Sequence, residues 1–171
     1  WVMVAATQDA TVRSVAALTN DKPDPARLRA LIETMTAVVH TWRAYDLKVF
    51  LMCYDAVLAR LLTAAGQQDA ARDRLRIALE LANETGMHFY DSELLRVQAH
   101  TSDDAEVCHP GLRDAIALAR RQGAVIFELR AAADDFELVG ESARAALADA
   151  VGRFPPEQSW PELTRARALL E

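Results

Sequence analysis

Two stretches of this chain repeat one another at a constant offset. Laying LRIALELANETGMHFYDSELLR from Leu75 over LRDAIALARRQGAVIFELRAAA from Leu112 pairs Leu75 with Leu112, Ala78 with Ala115, Leu81 with Leu118, Ala82 with Ala119 and Gly86 with Gly123, each 37 residues apart. A fixed period in the thirties, holding two helical segments per unit, is the pattern of stacked helical hairpins. Each hairpin leaves an apolar face that only the next hairpin can bury, so the units stack into a solenoid.

The apolar spacing agrees with helix throughout. Leu28, Leu31, Ile32, Met35, Val38, Val39 and Trp42 form one stripe at intervals of three and four, behind an N-cap at Asp24 and a first-turn proline at Pro25. Phe50, Tyr54, Val57, Leu58, Leu61, Leu62 and Ala65 form a second, which stops at Gly66. Ala71, Leu75, Ala78, Leu79 and Ala82 form a third, which stops at Gly86, and glycine closes helices in the left-handed conformation. No segment of comparable length alternates with period two. The spacing predicts an all-α chain with helices near 2–18, 25–43, 47–64, 68–85, 87–100, 110–122, 124–138, 141–152 and 160–171. Phe89, Tyr90, Phe127 and Phe136 recur at helical spacing and are expected in the core.

Charge and composition narrow the function classes. A net charge of −6, with arginines interleaved among acids, argues against a nucleic-acid surface, which needs clustered Lys and Arg. The longest apolar run, VFLMCYDAVLARLLTAA from Val49, is interrupted by Asp55 and Arg60 and is too short to span a bilayer, so no membrane association is expected. Two cysteines, Cys53 and Cys108, make no disulfide framework in 171 residues, which favours a reducing, cytoplasmic setting. The chain begins at Trp1 with no basic and apolar leader, and is expected to be a piece of a longer protein.

The segment AVLARLLTAAGQQDAARDRLRIALELA resembles a tetratricopeptide (TPR) repeat, with Leu58, Ala59, Leu62, Gly66, Ala71, Leu75 and Ala78 at the consensus positions of the helix pair. The wider run, from WRAYDLKVFLMCYDAVLARLLTAAGQ through ALELANETGMHFYDSELLRVQA and AIALARRQGAVIFELRAAA to RFPPEQSWPELTRARALLE, is similar to the TPR-like C-terminal region of large bacterial signalling proteins. Those proteins carry a cyclase domain or a helix-turn-helix regulator together with a STAND-type ATPase module. The resemblance covers 30–171 and implies a right-handed α-α superhelix of antiparallel hairpins in one domain. Residues 1–43 would form poorly matching N-terminal helices, 47–152 the hairpins and 160–171 a capping helix. Around 99–111 the chain is several residues shorter than the family pattern and carries Pro110 and Gly111 inside the expected second helix.

One stretch invites a chemical reading, DDAEVCHPGL from Asp103. Adjacent Cys108 and His109 cannot easily share one zinc, because known sites separate their ligands by at least two residues. As nucleophile and base they also fail, since neighbouring side chains on a helix diverge. The expectation is a shortened second helix restarted and kinked at Pro110, with Cys108 and His109 as bystanders. No glycine-rich phosphate loop and no His-Glu-x-x-His pattern occur, so no cofactor or metal is expected.

In a solenoid the first helix of each hairpin lines the concave face. Aligning the repeats places Cys53, Ala56 and Arg60 there from one hairpin, Glu93, Arg96 and His100 from the next, and Phe127, Arg130 and Asp134 from the third. Arginines set among acids and aromatics can hold a protein, an acidic peptide, another domain of the same chain or a small anion through bidentate contacts. Equally, they can be spent on ion pairs within the chain. The resemblance implies a non-catalytic interaction or sensor module of a signalling ATPase, cyclase or transcription regulator. The alternatives are a small-molecule inducer-binding domain and, third, an enzyme using Cys108 and His109. Homodimers through the N-terminal helices are also expected to be possible.

Overall fold

A computed structural model of the protein describes residues 2–19 and 24–171; residues 1 and 20–23 of the expected N-terminal helices lie outside the described residues. The chain is all-helical: α1 (Val2–Leu18), α2 (Pro25–Ala44), α3 (Leu51–Ala64), α4 (Gln68–Thr85), α5 (Asp91–Ala99), α6 (Ala105–Gln122), α7 (Val125–Val139), a 3-10 turn (Gly140–Ala143), α8 (Arg144–Val151) and α9 (Pro161–Ala168). Among the described residues there is no strand and no helix long and apolar enough to cross a membrane. Contacts divide the chain into two compact units, Trp1–Tyr90 and Asp91–Glu171. In the first, α1 packs on α2 and α3, α2 on α3, and α3 on α4. In the second, α5 packs on α6 and α7, α6 on α7, α7 on α8 and α9, and α8 on α9.

Local signals account for several helix ends. Asp24 caps α2 by accepting hydrogen bonds from the backbone N–H groups of Ala26 (3.1 Å) and Arg27 (3.3 Å), with Pro25 as first residue. Gly86 and Gly123 close α4 and α6 at φ 70° and 67°, where a Cβ would be strained. Within α2, Leu28, Leu31, Met35, Val39 and Trp42 are buried, as their spacing requires.

Five helix spans differ from expectation. α3 starts at Leu51 rather than 47, because Asp46 takes a left-handed φ of 54° and Leu47 donates to the Trp42 carbonyl (3.0 Å), which turns the chain. Phe50 is therefore exposed. α5 starts at Asp91 rather than 87, because residues 87–90 are spent in the turn after Gly86, and Phe89 is exposed rather than in the core. Gly140, at φ 63°, breaks the chain out of α7, so the eighth helix begins with a 3-10 turn. The terminal helix is Pro161–Ala168, shorter than 160–171.

The largest correction concerns the expected restart at Pro110. α6 begins five residues earlier, at Ala105, where Asp104 accepts the Glu106 N–H (2.9 Å), and it runs uninterrupted through Pro110. It is 18 residues long, as is α4, and both of its ends stand 37 residues beyond those of α4. α6 is not shortened. Cys108 occupies the position of Ala71 in the earlier unit, and both are buried. Gly111 fits for a separate reason: a Cβ there would lie 3.0 Å from the Ala99 Cβ, so glycine lets α5 and α6 approach.

Candidate functional site

The six aligned residues of the second unit come together. α5 ends in a turn that carries His100, and α7 runs beside it. Arg96 is the centre. It donates from Nε and Nη2 to both oxygens of Glu93 (2.9 and 2.8 Å), one turn away on the same helix, and from Nη1 to Oδ2 of Asp134 on α7 (2.5 Å). His100 places Nε2 2.7 Å from the same oxygen. A carboxylate only accepts, so that nitrogen carries the proton. Arg130 lies 3.6 Å from Glu93, donates to Glu162 of α9 (2.9 Å) and sits over the Phe127 ring, 5.8 Å from its centroid. A chain of charge thus links α5, α7 and α9.

Burial divides this network into an inner and an outer part. Glu93 and Arg96 are 2% and 8% exposed, so Arg96 cannot present its guanidinium to a ligand without breaking two buried carboxylate contacts. Burial alone would raise the Asp134 carboxyl, but the hydrogen bond from His100 and the charge of Arg96 outweigh it and hold it at about 2. Burial likewise works to lower the Arg96 pKa, but Glu93 and Asp134 more than reverse it, so the group stays charged. The outer part is Arg130, with its side chain 30% exposed, and Glu162, 45%. The sixth residue, Phe127, is half-buried, and the seventh candidate, Arg60, is a half-buried residue of α3 in the first unit.

Three buried carboxylates went unread in the sequence. Asp55 on α3, fully buried, is gripped by Arg43 at the end of α2 (2.6 Å) and Arg74 on α4 (3.4 Å). Burial pushes its carboxyl upward, and the two guanidiniums pull against that. Glu128 on α7 is held in the same way by Arg120 of α6 (2.6 Å) and Arg153 after α8 (2.9 Å). In both cases the first helix of a hairpin offers an acid, one arginine comes from the helix before it, and the other from the helix after it or the turn that follows. The signal was an acid inside an apolar run, Asp55 in LMCYDAVL and Glu128 in VIFEL.

The third is Asp135, 2.6 Å from Nδ1 of His109. His109 is therefore a fastener between α6 and α7, not a bystander. Its Nδ1 points to a carboxylate on another helix, and Cys108 beside it is buried, with its thiol pushed up by burial and then by Asp134 and Asp135. A nucleophile needs the opposite, an exposed and acidified thiol. Among the described residues no group of His, Cys, Asp and Glu could hold a metal ion.

No family model, curated protein or solved structure matches this chain.

Proposed function

We propose that the chain is a TPR-like solenoid, a right-handed α-α superhelix of hairpins capped by α9, serving as a non-catalytic docking and sensing module of a bacterial cytoplasmic signalling ATPase, cyclase or transcription regulator. One observation carries this reading. Within each unit alternate helices touch, α1 with α3, α5 with α7 and α7 with α9. Stacked hairpins bring first helices side by side in this way, and that layer is the surface such folds offer to an extended partner. The identical lengths of α4 and α6, displaced by 37 residues and closed by matching left-handed glycines, support the same repeat.

The mechanism is docking on the α5–α7–α9 layer, with the partner favouring one of two states of the parent protein. Arg130 and Phe127 are the contact residues on this reading, and Glu93, Arg96 and Asp134 hold the layer in shape. Amide exchange measured by mass spectrometry tests it. In the full-length natural protein, compared with residues 1–171 alone, added protection is expected on α5, α7 and α9. Equal exchange in the two would sink the docking reading.

A further inference from the structure

We infer that Arg130, with the apolar dent at the start of α7, is a seat for an acidic and apolar peptide segment, and that Glu162 occupies that seat as a built-in competitor. The inference rests on the docking reading above and names the partner's chemistry. Arg130 is fixed from below on two sides, by the Phe127 ring at 5.8 Å and by buried Glu93 at 3.6 Å. Among the described residues its outward contact is a hydrogen bond from Nε to Oε1 of Glu162 at 2.9 Å, where the acid is the more exposed partner. An exposed pair of this kind is weakly held, so an incoming carboxylate can displace it. A guanidinium offers five donors in a planar fork, and Glu162 takes one of them.

Phe127 also lines a shallow depression of about 300 Å³, with Gly123, Ala124, Val125 and Ile126. Ile126 is 45% exposed there. A partner that satisfies both features carries a carboxylate next to an aliphatic side chain: the first replaces Glu162 on Arg130, and the second covers Ile126 and Phe127. Basic segments are excluded by Arg130 itself, and purely apolar ones would leave the guanidinium and Glu162 as they are.

Fluorescence anisotropy with two labelled decapeptides tests this, one of alternating leucine and glutamate and one of alternating leucine and lysine. The leucine-glutamate peptide is expected to bind the wild-type chain in a saturable way, at least threefold tighter to Glu162→Gln, and at least tenfold weaker to Arg130→Gln. Ile126→Asp should weaken it as well. Thermal melts of each variant check that it folds. If Glu162→Gln binds no tighter, or Arg130→Gln binds as well as wild type, or the leucine-lysine peptide binds equally, the assignment is overturned. Failure here with added amide protection in the full-length protein would reject the peptide chemistry alone; failure of both would reject docking on this layer.

Discussion

The α3–α4 and α5–α6 hairpins share a plan and differ in how much polar side chain the first helix buries. In α3, nine residues are buried and only Asp55 among them is charged. In α5, six are buried, and Ser92, Glu93 and Arg96 make half of them polar. The second helices, α4 and α6, are equal in length and register. The difference therefore lies in the first helix. α3 has 14 residues and closes its hairpin with Leu51, Leu58, Leu61 and Leu62, while α5 has nine and is tied to α7 by charge. A short helix exposes fewer apolar positions, and a buried charge pair links it to its neighbour at fixed geometry without contributing much net stability. Apolar packing alone would tolerate sliding between helices; Asp55 with its two arginines limits it at one point of α3, and the Arg96 network limits it along α5.

A large effect should come from the apolar hairpin. Leu58→Ala removes a side chain that is 1% exposed and is expected to cost about 3 kcal/mol in urea unfolding. A loss under about 1 kcal/mol would show that α3 can collapse around the cavity, and that its packing is looser than described.

In the charged hairpin stability should depend on pH. Asp134, held at about 2 in the fold, has an ordinary value near 4, so its contribution is complete above pH ~4 and is lost as pH falls through 2. Asp134→Asn should be less stable than wild type by about 2 kcal/mol at pH 6 and nearly equal to it at pH 2. A difference that stays constant over that range would mean the carboxylate is not held by charge.

A smaller gain should follow from Pro110→Ala. Proline at the sixth position of α6 removes the N–H that would reach the Glu106 carbonyl, and its ring is exposed, so little packing is lost. The variant is expected to be more stable by about 1 kcal/mol, less what proline contributes by stiffening the unfolded chain. Destabilisation would show that Pro110 is needed to start α6, as the sequence alone suggested.

How much of this was legible from residues can be followed at particular positions. The stripe from Leu28 to Trp42, the cap at Asp24 and the glycine stops at 66, 86 and 123 are local signals, and each is found in place. The face shared by Glu93, Arg96, His100, Arg130 and Asp134 was legible because repeat alignment puts equivalent positions of α5 and α7 side by side. Their use was not, since whether an arginine meets solvent or a carboxylate depends on a helix 37 or 38 residues away. Pro110 misled for a related reason. Its intrinsic preference is against the helix interior, but the apolar positions Cys108, Leu112 and Ala115 bury one continuous face, and packing outweighs one missing hydrogen bond. Asp55, Glu128 and Asp135 were passed over because an acid in an apolar run has meaning only once its arginine or histidine partners are placed.

The division of this face into an internal brace and an outward seat is open to one direct measurement, urea unfolding of Arg96→Met and Arg130→Gln side by side. Arg96→Met leaves Glu93 and Asp134 buried with too few partners and is expected to lose about 3 kcal/mol. Arg130→Gln breaks a half-exposed contact and is expected to lose less than about 1 kcal/mol. Equal losses would contradict the division, and with it the assignment of Arg130 as the group left to meet a partner.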